Sequence, residues 1–241
     1  MEGAEFLPYA KEILAQEQAA YAALGHQSEE VKGTIRFAAS STFAQLYLMP
    51  VLPDFLRDYP LIDVELRLSD SKVPLIDGGF DLALRNYAIE DSTLIGRRLA
   101  DDTRILCASP NYLRAYGRPS APEELQMHQL LTFAGATPRK LTAEGDGRSC
   151  TFPPPGVKPR VVCDDGASLR IAATSGAGIC MSSLWNVHSE LKDGRLERVL
   201  PEFEVDDGSA IWIVYPKSNA LTAKVRTLID FLIERLRPLL Q

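Results

Sequence analysis

The stretch from Gly33 to Pro60, GTIRFAASSTFAQLYLMPVLPDFLRDYP, constrains the fold more than any other part of this chain. It opens on a β-forming run, Thr34-Ile35-Arg36-Phe37-Ala38, and stops at three hydroxyl residues, Ser40, Ser41 and Thr42. Leu52, Phe55, Leu56 and Tyr59 then recur at the spacing of an amphipathic helix. Pro50 and Pro53 suit its first turn, where backbone N–H groups have no partner inside the helix. A strand, a hydroxyl-rich turn and a helix in this order aim N–H groups and hydroxyls past the carboxyl end of the strand. Open α/β sheets bind ligands there. The alternative is that Ser40 to Thr42 only cap the helix.

Composition narrows the function. The chain has 241 residues, enough for one or two domains at about 150 residues each, and a net charge of −6. An acidic chain is poorly suited to gripping a phosphate backbone, so this chain alone is not expected to bind nucleic acid. No apolar run reaches the ~18–20 residues of a membrane span. The start, MEGAEFLPYAKEIL, lacks the basic and apolar regions of a secretion signal. Cys107, Cys150, Cys163 and Cys180 form neither a CxxC pair nor a small disulfide framework, which points to reduced thiols in a cytoplasmic protein.

Further along, residues 4–24 have the spacing of one helix whose apolar side needs a partner, followed by a polar linker to Lys32. Ile62 to Leu68 alternates strictly and predicts a strand; Val73 to Asp77 predicts a short helix, and Asp81 to Arg85 another strand. This βαβαβ succession implies a parallel sheet. Arg104 to Ala108 predicts a strand and Pro110 to Tyr116 a helix. Residues 135–160, rich in Gly and Pro, are read as a β-hairpin or an exposed excursion. The opening pattern then recurs: strand Arg160 to Cys163, acidic turn Asp164-Asp165-Gly166, helix Ala167 to Thr174. Strand Ile179 to Met181, helix Leu184 to Leu191, strand Ala210 to Tyr215 and an amphipathic helix from Leu221 to Leu236 complete the chain. Two such units imply two similar lobes, the last helix returning to the first, with a ligand held between them by both sets of turns.

Catalytic chemistry finds little footing. There is no Gly-x-Ser-x-Gly elbow, and His26, His128 and His188 are far apart with no HExxH. Gly176-Ala-Gly178 opens like a dinucleotide fingerprint, but its sixth position is Met181 and it follows a helix. No enzyme, metal or cofactor is expected, and Asp101-Asp102 and Asp206-Asp207 are read as solvated acids beside turns. Arg85, at the carboxyl end of a strand, either meets an anionic ligand group or pairs with Asp77 or Asp81. Phe133, beside an expected lobe crossing at Leu130 to Phe133, either walls a pocket or packs in the hinge.

The order GTIRFAAS, LMPVLPDFLRDYP, GGFDLALR, DSTLIGRRL, ASPNYLRAYG, SGAGICMSS and VRTLIDFL resembles the effector-binding region of LysR-type transcriptional regulators, from Glu2 to Leu236. Even GAEFLPYAKEIL is similar to the linker helix of such regulators; the segment from Thr137 to Pro159 lies outside the pattern. The resemblance implies an α/β fold of two Rossmann-like lobes like those of type 2 periplasmic binding proteins, joined by two crossover strands. It divides the chain into a linker at 1–32, a first lobe at 33–104 plus 216–241, and a second lobe at 105–215. It implies that a winged helix-turn-helix domain precedes Glu2, with Met1 an added start, and that effector domains pair in a dimer or tetramer. Ligand contacts are implied at Ser40, Ser41, Thr42, Arg85, Phe133, Gly166, Ala167, Ser168, Met181 and Ser182. The expected ligand is a small-molecule inducer, a carboxylate by the chemistry of helix N-termini and Arg85. The alternative is a stand-alone solute-binding protein of the transport type.

Overall fold

The computed structural model describes residues 13, 16, 31–70, 78–86, 93–143, 148–205, 208–217 and 222–240. Most of the expected linker helix, the Val73 to Asp77 helix, Leu221, Asp77 and Asp206-Asp207 lie outside these. The chain divides into two units, Met1–Ala100 with Ile211–Gln241, and Asp101–Ala210. The expected boundaries at 104 and 215 fall inside or beyond strands that begin in one unit and end in the other.

In chain order the first unit contains β1 (Gly33–Ala39), α1 (Ser41–Phe43), a π-helical turn (Ala44–Leu48), α2 (Met49–Asp58), β2 (Ile62–Leu68), β3 (Leu82–Arg85) and β4 (Leu94–Asp101). The second contains β5 (Arg104–Ala108), α3 (Pro110–Tyr116), a 3-10 turn (Pro122–Met127), β6 (Leu130–Phe133), β7 (Arg139–Ala143), β8 (Ser149–Phe152), β9 (Val161–Cys163), α4 (Gly166–Thr174), β10 (Ile179–Ser183), α5 (Leu184–Lys192), β11 (Glu197–Val199) and β12 (Phe203–Glu204). The chain returns through β13 (Ala210–Pro216) and ends on α6 (Ala223–Leu236).

The first unit is a sheet ordered β2-β1-β3-β13-β4, with β1 parallel to β2 and β3, and β13 antiparallel to β3. Ile35 and Phe37 are fully buried in β1, and the helical stripe buries Leu52 and Phe55 on α2. Phe55 meets Phe231 of α6 at 5.1 Å between ring centres, so the last helix packs on the first unit as its periodicity predicts. Leu56 departs from the predicted stripe and is 38% exposed.

The second unit is a sheet ordered β11-β5-β10-β6-β9, in which β10 runs antiparallel to β5 and parallel to β6. Alternation along the strands divides the core. Leu106, Leu130 and Ile179 face Tyr112, Leu125 and a smaller sheet, β12-β7-β8; Cys107, Leu131 and Cys180 face Leu169, Ala173 and Val187 of α4 and α5. The expected hairpin at 135–160 is β7 and β8, covering one face of this sheet with Leu141, Ala143 and Phe152. The turn into β10 requires Gly178, whose φ is +154° and whose missing Cβ would lie 2.2 Å from the Gln129 carbonyl oxygen. All four cysteines are free thiols.

Candidate functional site

In the first unit the hydroxyl residues form a tightly bonded corner. Ser40 caps α1: its Oγ accepts from the Phe43 N–H at 3.1 Å, so the capping reading holds at that residue. The same hydroxyl donates to Asp70 Oδ1 at 2.6 Å. Thr42, 2% exposed, donates from Oγ1 to Asp70 Oδ2 at 2.6 Å and from its backbone N–H to Oδ1 at 3.2 Å. Ser41 lies between them, half-buried in the first turn. Asp70 therefore occupies, with a carboxylate of this chain, the position at a helix start that favours an anion.

Register explains how Asp70 arrives there. Ala39 pairs with Leu68, and the Ser69 N–H donates to the Ala39 carbonyl at 3.0 Å, so Asp70 lies just past the carboxyl end of β2. On the other side Ala38 pairs with Ala83, which sets Arg85 level with Ser40. Alternation puts Arg85 on the same face as Ala83, and its partner across β13 is Trp212. Of the two internal partners considered for Arg85, Asp81 accepts from the Arg36 N–H at 2.9 Å and pairs with Lys224 at 3.5 Å.

The second unit places Gly166, Ala167 and Ser168 in the first turn of α4, with Asp165 as its cap accepting from the Ser168 N–H at 2.7 Å. Ser168 is exposed; Gly166 and Ala167 are half-buried. Asn186 of α5 ties this turn to the end of β10: its Nδ2 donates to the Gly166 carbonyl at 3.3 Å and to Ser182 Oγ at 3.0 Å. Three of the predicted residues, Gly166, Ser168 and Ser182, are thus brought to one place, with Ala167 between them. Met181 is not. It points to the opposite face of β10, against the core that contains Leu106 and Ile179. Strand alternation puts Met181 and Ser182 on opposite faces of β10.

Two further expectations are corrected. Leu130 to Phe133 is β6, an inner strand of the second unit, and not a crossing between units. Phe133 packs partly buried against the core beneath α4 and α5. Asp102 is not solvated but 3% exposed. Its Oδ1 accepts from Trp185 Nε1 at 2.8 Å and its Oδ2 from Arg104 at 2.7 Å, while its N–H donates to the Ser209 carbonyl at 3.0 Å. This buried carboxylate joins the points where the chain enters and leaves the second unit. Asp70, Asn186 and Asp102 went unselected in the sequence. For Asp70 the signal was present in Ser69-Asp-Ser71, which closes a strand parallel to the first.

Among the described residues no group of side chains has the make-up of a metal site, and no helix is long and apolar enough to cross a membrane. His128 is a local hydrogen-bond partner: Tyr112 accepts from the Gln129 N–H at 2.8 Å and lies 3.2 Å from His128 Nδ1. Burial pushes the His128 pKa down, partly offset by Glu124.

Residues 28–237 match the family of the LysR substrate binding domain. An HTH-type transcriptional regulator of Xanthomonas campestris is 31% identical over 242 residues, covering 97% of this chain and 68% of the relative. The HTH-type transcriptional activator AaeR of Escherichia coli is 32% identical over 201 residues, covering 83% of this chain and 64% of that protein. Among solved structures, CrgA of Neisseria meningitidis, a LysR-type transcriptional regulator, superposes with a TM-score of 0.77 at 29% identity, covering 98% of this chain and 79% of CrgA. The CrgA regulatory domain superposes at 0.74, covering 85% of this chain and 99% of that domain. The fold is thus that of LysR regulatory domains, which is like that of type 2 periplasmic binding proteins. These relatives are named for transcriptional regulation and not for an enzymatic reaction. The chain belongs to the LysR family, and most of its length is the effector-sensing substrate-binding domain.

Proposed function

We infer that this chain senses a small metabolite through the polar turns of both units and passes the signal to a DNA-binding domain of a longer regulator. The observation that carries this reading is the common edge in the first unit, where Ser40, Thr42 and Arg85 end adjacent parallel strands. Strand ends of this kind are where ligands meet open α/β sheets. Gly166, Ala167, Ser168 and Ser182 are the contributions of the second unit. The sensing lobes are the two units that divide after Ala100 and after Ala210. Arg85 is the receptor for an effector carboxylate, since the start of α1 is already filled by Asp70. The regulator works in the cytoplasm. The regulators named among its relatives favour this reading over a transport-type binding protein.

The test is a thermal-shift screen of organic acids and amino acids, because a ligand that binds only the native state raises its melting temperature. The best compound is then titrated by calorimetry into the wild type and the Ser41→Ala/Arg85→Ala double variant. A loss of affinity of at least tenfold supports the site; unchanged affinity refutes it. Self-association belongs to the same reading. Leu56, Leu61 and Leu68 are exposed around α2 and β2, and Val162 and Ile171 around β9 and α4. The expected result is a dimer or larger assembly by light scattering at tens of micromolar, and a monomer contradicts it.

A further inference from the structure

Three neighbouring strands of the first unit end together, and the side chains at those ends differ in charge. Across the sheet the order is β2, β1, β3, so the strand ends bring Asp70, then Ser40 with the buried Thr42 behind it, then Arg85. Both hydroxyls and the Thr42 N–H already donate to Asp70. A second carboxylate brought to that corner would meet a like charge at close range, whereas an ammonium or hydroxyl would meet an acceptor. Asp70 holds its carboxylate against the Ser40 and Thr42 hydroxyls at the end of β1, and β3 lies about 4.8 Å from β1 at ordinary strand spacing. A small molecule with unlike ends can bridge that span between the two side chains.

The second unit carries a buried acceptor of its own. Asn186 is 6% exposed and directs its amide hydrogens to Gly166 and Ser182. Its Oδ1 has no hydrogen-bond partner among the described residues. A buried acceptor without a donor costs on the order of 1–3 kcal/mol, and a donor group supplied by a ligand removes that cost. Both predicted sets of turns therefore carry an acceptor.

We propose that Asp70 determines effector specificity, selecting an amino acid or hydroxy acid whose amine or hydroxyl group lies toward Asp70 and whose carboxylate lies toward Arg85. The proposal rests on the sensor reading above but is tested without the effector, so either can fail alone. Methylammonium chloride and sodium acetate are titrated at constant ionic strength into the 15N-labelled chain and into Asp70→Asn. Methylammonium is expected to move the Thr42 and Phe43 amide resonances saturably in the wild type, and acetate to move those of Arg85 and Asn86 instead. The methylammonium response is expected to be lost in Asp70→Asn. Three results would overturn the proposal: acetate acting at Thr42 and Phe43, a response to methylammonium surviving in Asp70→Asn, or no saturable response to methylammonium. If Asp70→Asn does not fold, the two wild-type titrations decide.

Discussion

The two turns that begin α1 and α4 look alike as sequence, each a strand running into polar residues and then a helix, yet they are built differently. In the first unit the cap is a serine, and the negative charge comes from Asp70, thirty residues beyond Ser40. In the second the cap is itself an acid, Asp165, bonded within its own turn, and the longer-range tie is the neutral amide of Asn186. The first corner is thus held by three charge-assisted bonds to a carboxylate from a neighbouring strand, the second by one charge-assisted cap and one neutral carboxamide. Charge-assisted bonds are about twice as strong as neutral ones. The first corner should therefore be the more costly to disturb.

The largest effect is expected from Asp70→Ala. It removes the acceptor from the buried Thr42 hydroxyl and from Ser40, and should cost about 2–3 kcal/mol in urea unfolding. Asp165→Ala removes one cap and should cost about 1 kcal/mol. Equal losses would erase the distinction between the corners. A smaller and pH-dependent effect is expected away from both. Burial lowers the His128 pKa below its ordinary value of 6.5, against a smaller opposing effect of Glu124. Its folded value is depressed, so its contribution to stability is complete above about pH 6.5 and is lost as pH falls through the lowered value. Unfolding midpoints measured across that window should fall less in His128→Gln than in the wild type; parallel curves would remove His128 from the account.

Much of the fold was legible because its signals are local. Alternation marks Ile62 to Leu68, the Leu228, Ile229 and Leu232 stripe marks α6, and the polar breaks mark both turns. The order of motifs also carried the family. What escaped depends on partners far along the chain. Asp102 sits beside a turn in an acidic pair and looks solvated, until Trp185, 83 residues on, encloses it. Asn186 lies within a helix of mixed composition, and nothing local tells it from a surface residue. The π-helical turn at Ala44 to Leu48 left no recognised mark. Met181 and Ser182 were grouped as neighbours in sequence, although a strand sends them to opposite faces.

The most direct measurement is a map of amide shifts on titrating the compound that raises the melting temperature most. If both sets of turns hold one molecule, resonances of Thr42 and Phe43 and those of Gly166 to Ser168 will move together and saturate at the same concentration. Movement of one set alone, or of neither, would contradict a shared effector site.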